Sequence, residues 1–180
     1  MNAMRMHIAL SSFIVCGAMM VAAPPAMAAT GPTLLGSFKD WSAYTTDTGN
    51  GKVCYALSQP KSMEPKGAKR DPVFFLISDW PSRKSKAEPE VVPGYPYKVG
   101  STVTAQVGKD KFTFFTQNDG NSGSAWVKEN ADEVRLVEAM RRGSRLIVTG
   151  TSTRGTDTRD SYSLSGVSAA LDKIHAECKM

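Results

Sequence analysis

Residues 52–60 read KVCYALSQP, and this stretch decides the fold. Val53, Tyr55 and Leu57 alternate with Cys54, Ala56 and Ser58, the period of two that belongs to a half-buried strand. Before it, TDTGNG (46–51) supplies Asp, Asn and two Gly for a turn. After it, Pro60 opens a polar, basic loop, KSMEPKGAKR, at 61–70. One strand between two turns is the unit from which the rest of the chain is built.

The same unit recurs in both directions. Upstream, LLGSFKDWSAYT (34–45) reads as a first strand in which Phe38 and Trp41 bracket Lys39 and Asp40. Downstream, PVFFLISDW (72–80) is apolar almost throughout and reads as a central strand covered on both faces. SRKSKAEPE (82–90) reads as a second basic loop. Pro93 and Pro96 push VVPGYPYKVG (91–100) toward a sheet edge. STVTAQV (101–107) and KFTFFTQ (111–117) form a hairpin across a short connection, AWVK (125–128) is a short strand, and SRLIVTGTS (144–152) pairs with SYSLSG (161–166).

Two helices interrupt the strands. Over 131–143, ADEVRLVEAMRRG has Asp132 to cap the first turn, Glu138 and Arg142 four apart, and Gly143 for a left-handed stop. The chain closes with VSAALDKIHAECKM, in which Ser168 can cap a helix and Leu171, Ile174 and Cys178 share one face. Eight or nine short strands, two short helices and no alternating βα rhythm predict an all-β, antiparallel sandwich or barrel.

The first 28 residues set the compartment. Arg5 precedes an apolar run from Ile8 to Ala23, followed by Pro24, Pro25 and a small-x-small site at Ala26, Met27 and Ala28, the layout of a secretory signal peptide. The run is shorter than the ~20 residues that a bilayer crossing needs, so no membrane span is expected after its removal. Cys16 follows Val15, where a lipoprotein site wants a small residue. Residues 29–36 are expected to be an extended N-terminal segment and residues 37–180 one β-sandwich domain. A periplasmic location follows, with outer-membrane association or secretion as variants of it.

A lone thiol at Cys54 is compatible with a nucleophile, a metal ligand, a core residue or half a disulfide. Removing the leader leaves two cysteines, Cys54 and Cys178, and an even count in an exported chain favours a bridge. Such a bridge closes most of the domain into one loop, worth on the order of 5 kcal/mol on the chain-entropy model. The inward stripe of the last helix brings Cys178 toward the sheet that carries Cys54.

These features together with particular motifs resemble a known family. FKDW at 38–41, CYALSQP, PVFFLIS, AWVK before a helix, the block MRRGSRLIVTGTSTRGTDTRDSYSLSG at 140–166 and a last helix ending in Cys are similar to the invasion-associated locus B family of Gram-negative exported proteins. The resemblance implies an immunoglobulin-like β-sandwich in the periplasm or at the cell surface, a structural disulfide and no established enzymatic activity. The family is named for a role in host-cell invasion, although many members occur in bacteria that invade nothing. Members often carry a further cysteine soon after the Asp-Trp pair; DWSAYTT has none, which excludes a second bridge there.

Little catalytic chemistry is legible. His175 is the only histidine beyond the leader, no G-x-S-x-G occurs, and one His with two paired Cys makes no zinc set. No catalytic residue, metal or cofactor is therefore expected. The alternative is a periplasmic carboxylate-dependent hydrolase acting on glycans, with Asp157 and Asp160 as its acidic pair; against it, Asp in a Gly-Thr-rich hairpin is a turn former.

Charge points instead to binding. The chain carries 22 Lys+Arg against 17 Asp+Glu, a formal +5, and loss of Arg5 with the leader makes it +4. Lys69 and Arg70 in one loop and Arg83, Lys84 and Lys86 in the next, beside Trp80, form the expected interaction surface. Its partner would be an anionic envelope component or a host surface molecule. Nucleic acid is not expected for an exported domain without an aromatic-basic platform.

Overall fold

The computed structural model describes residues 31–180; the expected signal peptide lies outside the described residues. Among the described residues eleven strands form one antiparallel sheet: β1 (Thr33–Phe38), β2 (Trp41–Thr48), β3 (Gly51–Ser58), β4 (Ser62–Glu64), β5 (Phe74–Trp80), β6 (Ser85–Val92), β7 (Thr102–Val107), β8 (Asp110–Asp119), β9 (Ser122–Val127), β10 (Arg145–Thr151) and β11 (Asp157–Ser163). Their order across the sheet is β1-β2-β3-β5-β6-β9-β8-β7-β10-β11-β4. Helices α1 (Asn130–Arg142) and α2 (Val167–Cys178) complete the fold.

The sheet curls so that its two halves face each other, which makes the expected antiparallel sandwich. Phe75 on β5 is the hub of the contact. Its ring meets Trp41 on β2, Phe114 on β8 and Tyr162 on β11 edge-on, at centroid distances of 6.4, 6.4 and 5.9 Å. Edge-to-face aromatic pairs gain about 0.5–1.5 kcal/mol beyond burial. Trp41 also donates from Nε1 to the Ser163 carbonyl at 3.0 Å, tying β2 to the far half. The layers are continuous through the β6–β9 pair, where Glu90 faces Trp126 and Val91 faces Ala125.

The strand of the opening stretch keeps its alternation from Cys54 to Ser58, while Val53, on the side of Tyr55 and Leu57, is buried as well. Ala56 and Cys54 are fully buried, Tyr55 and Leu57 only half so. Tyr55 stacks on its cross-strand partner Tyr44 at 5.4 Å.

Several boundaries differ from expectation. The stretch 34–45 is a hairpin: Lys39 takes a left-handed turn (φ 55°), so residues 33–36, expected as part of an extended tail, belong to β1 paired with β2. Within the basic loop at 61–70, residues Ser62–Glu64 pair with β11. The second basic loop, 82–90, is mostly strand β6, entered through a 3-10 turn at Pro81–Arg83. Val91 and Val92 therefore belong to an interior strand, and residues 93–100 carry only an isolated bridge from Tyr97 to Ser152. Pro89 is tolerated because β9 pairs only with Glu90 and Val91, so β6 has a neighbour on one side there.

The helix signals were partly right. Glu138 and Arg142 pair at 3.6 Å, as the spacing required. Asp132 lies in the first turn of α1 without capping it and instead binds Arg135 at 2.6 Å. Gly143 is extended (φ −86°, ψ 171°) and is needed for space: a Cβ there would fall 2.5 Å from Val107 Cγ1. At the helix ends a left-handed glycine occurs instead at Gly166, at the start of α2, where a Cβ would overlap the Phe38 carbonyl. Ser168 does not cap that helix.

α2 lies against β1, β2, β3 and β5 with Val167, Ala170, Leu171 and Ile174 buried. Cys178 is joined to Cys54 across 124 residues with Cα atoms 6.0 Å apart. Among the described residues no helix is long and apolar enough to cross a membrane.

Candidate functional site

The expected interaction surface divides into two separate places. Lys69 and Arg70 enter β5 at its start, whereas Trp80, Arg83, Lys84 and Lys86 lie at and beyond its end. At about 3.3 Å per residue, the seven-residue strand separates them by roughly 20 Å.

The first place is the tip of the β5–β6 hairpin. Trp80 is half-buried, and the Arg83 guanidinium lies over its ring at 4.4 Å. A cation so placed gains about 0.5–1 kcal/mol at an exposed site. Arg83 also reaches Glu88 at 3.2 Å, and Ser85 Oγ donates to the same carboxylate at 3.1 Å. Lys84 closes the 3-10 turn in a left-handed conformation and donates its N–H to the Pro81 carbonyl at 3.2 Å. Lys84 and Lys86 are exposed and make no ion pair among the described residues. The tip thus carries a positioned aromatic-cation unit with two free ammonium groups beside it.

At the second place the structure corrects the expectation for Arg70, which does not lie on the surface. Its guanidinium binds Asp160 through two parallel bonds of 2.7 and 2.6 Å, with only 5% and 3% of the two side chains exposed. Nε donates to the Pro93 carbonyl at 2.9 Å, and the cation lies 5.1 Å from the centre of the Tyr95 ring. Burial alone would lower the Arg70 pKa; the Asp160 hydrogen bond and charge outweigh it and hold the group above its ordinary value. Lys69 remains exposed beside this pair.

The acidic pair of the hydrolase alternative does not converge. Asp157 is exposed and accepts from Thr151 Oγ1 at 2.7 Å, while Asp160 points inward to Arg70. Three residues apart on one strand, they stand on opposite faces.

Asp79 is the residue that sequence reasoning missed. It is fully buried on β5 opposite Cys54; Oδ1 accepts the Ala87 N–H at 2.8 Å and Oδ2 lies 2.6 Å from His175 Nδ1. The available signal was its phase: Phe75, Ile77 and Asp79 fall on the same inward side of an alternating strand. This bond fastens α2 to β5, as the disulfide fastens it to β3, and gives His175 a structural role. Among the described residues no three His, Cys, Asp or Glu are gathered to hold a metal ion.

An antiparallel sandwich closed by a C-terminal helix, with a bridge from that helix to the third strand, defines the class. Residues 41–175 match the profile of the Invasion associated locus B (IalB) protein, and the chain belongs to this family. Its fold is shared by the crystal structure of invasion associated protein B from Bartonella henselae, with a TM-score of 0.57 at 18% identity over 81% of this chain and 98% of that one. Among curated proteins nothing matches the chain.

Proposed function

We propose that the protein is an exported, non-catalytic interaction module of the cell envelope, whose hairpin tip engages an anionic envelope component or host surface molecule. The single observation that carries this reading is the Arg83–Trp80 stack with Lys84 and Lys86 exposed beside it. A fixed aromatic body with surrounding cations suits recognition, since little side-chain entropy is lost on contact and the local field draws in anions. Export is supported by the leader-like start of the chain and by a buried bridge of the kind that persists in oxidising compartments. The periplasm is the primary location, with the outer membrane or the secreted fraction as the further possibilities it contains.

The test is recovery of partners from envelope extract and from host membranes, comparing wild type with Lys84→Glu/Lys86→Glu. Both positions are exposed and, among the described residues, unpaired, so the variant keeps the fold. The reading expects the variant to lose partners that wild type retains, with retention falling as salt rises. Recovery of the same partners by both proteins would count against it.

A further inference from the structure

We propose that the cleft between residues 65–71 and the turn at 152–156 is a binding site for a phosphorylated saccharide. It stands at the opposite end of β5 from the hairpin tip and does not depend on that proposal. The cleft has a volume of about 940 Å³, within the range of small-molecule sites and far larger than one bare phosphate requires.

Two bonds between separate segments and one within the 152–156 turn hold its walls. Asp71 N–H donates to the Gly94 carbonyl at 3.0 Å, Thr153 N–H to the Pro96 carbonyl at 2.9 Å, and Ser152 N–H to the Thr156 carbonyl at 2.9 Å. The site is therefore formed before any ligand arrives, which limits the ordering cost of binding.

Charge defines one half of the ligand. Lys66, Lys69 and Arg154 line the cleft, are exposed, and make no ion pair among the described residues. The lining holds one carboxylate, Asp71. Arg70 forms part of the floor, but Asp160 neutralises it from behind, so neither adds to the balance. Three cations against one carboxylate leave two positive charges, matching a phosphate monoester of about −1.5 to −2 at neutral pH.

The neutral lining defines the other half. Thr153, Thr156 and Asn121 present side chains with no hydrogen-bond partner among the described residues, suited to sugar hydroxyls. The aromatic ring in the lining, Tyr95, already carries the Arg70 guanidinium on one face and packs against Tyr97 at 5.3 Å, an arrangement that favours a sugar over a nucleobase.

The test is calorimetric titration of the disulfide-intact protein with glucose 6-phosphate and glucosamine 1-phosphate, against glucose, inorganic phosphate and phosphatidylglycerol vesicles. Saturable binding of a sugar phosphate, at least tenfold tighter than inorganic phosphate and absent for glucose, is expected. Lys66→Glu/Arg154→Glu should weaken it at least tenfold with an unchanged thermal midpoint, and Lys84→Glu/Lys86→Glu should leave it intact. Should the first variant unfold, Lys69→Ala with amide shifts at Thr153 and Thr156 reads the same site. The proposal is overturned by no saturable binding of either sugar phosphate, by equal affinity for inorganic phosphate, by binding to the vesicles alone, or by affinity that the cleft substitutions leave unchanged.

Discussion

At the scale of single residues, the Arg70–Asp160 pair holds the greatest free energy at stake. Both side chains are almost wholly buried, so removing one leaves the other charged without a partner. Asp160→Asn is expected to cost about 3–5 kcal/mol, measured by urea denaturation, whereas Asp157→Asn, on the exposed face of the same strand, should change stability by less than about 0.5 kcal/mol. Glu90 gives a pH-dependent counterpart. Burial between Leu76 on β5 and Trp126 on β9, with the Glu88 charge behind it, raises its pKa, and a hydrogen bond from Ser124 opposes the rise. A raised folded-state pKa means that the native protein binds this proton more tightly than the unfolded chain does. Its contribution to stability is complete below the unfolded value of about 4.3 and is lost as pH rises through the folded value. Glu90→Gln should therefore raise the thermal midpoint at pH 7 and leave it unchanged near pH 3.5, as calorimetry at the two pH values would show. Neither environment is legible in KGAKRD or AEPEVV, because both depend on partners from distant strands.

At the scale of elements, α2 is the part whose attachment is most varied. Its apolar stripe packs on the sheet, Cys178 bridges to Cys54, His175 binds Asp79, and Glu177 pairs with Lys52 at 2.5 Å. Replacing both cysteines by serine is expected to remove about 2–5 kcal/mol, read from denaturant midpoints. Hydrogen exchange should show the loss first in α2, whose remaining contacts with the sheet are non-covalent. The bridge followed from cysteine parity and helix phase, and the structure has it. The β6 strand did not follow: a run of Lys, Pro and Glu has poor strand propensity, and its pairing with β5 and β9 overrides that local preference. Gly143 shows the same limit, since its expected left-handed stop was a local inference and the pressure from Val107 is tertiary.

At the scale of the whole molecule, the proposed export makes a prediction about the protein as its native cell holds it. Material purified without reductant should begin at Ala29, and neither Cys54 nor Cys178 should react with an alkylating reagent until the bridge is reduced; intact-mass spectrometry reads both. An unprocessed N-terminus, or free thiols in native material, would contradict it. From sequence alone the all-β class, the two helices, the disulfide partners and the family resemblance were determined, because turn residues, period-two alternation, helix phase and short motifs are properties of neighbouring residues and cysteine parity is a property of composition. Tertiary structure alone decided that the basic residues part into a hairpin tip and a separate cleft, that Arg70 is buried, and that Asp79 meets His175. Those outcomes depend on which distant strands the curled sheet brings face to face, and no local pattern in the chain carries that distance.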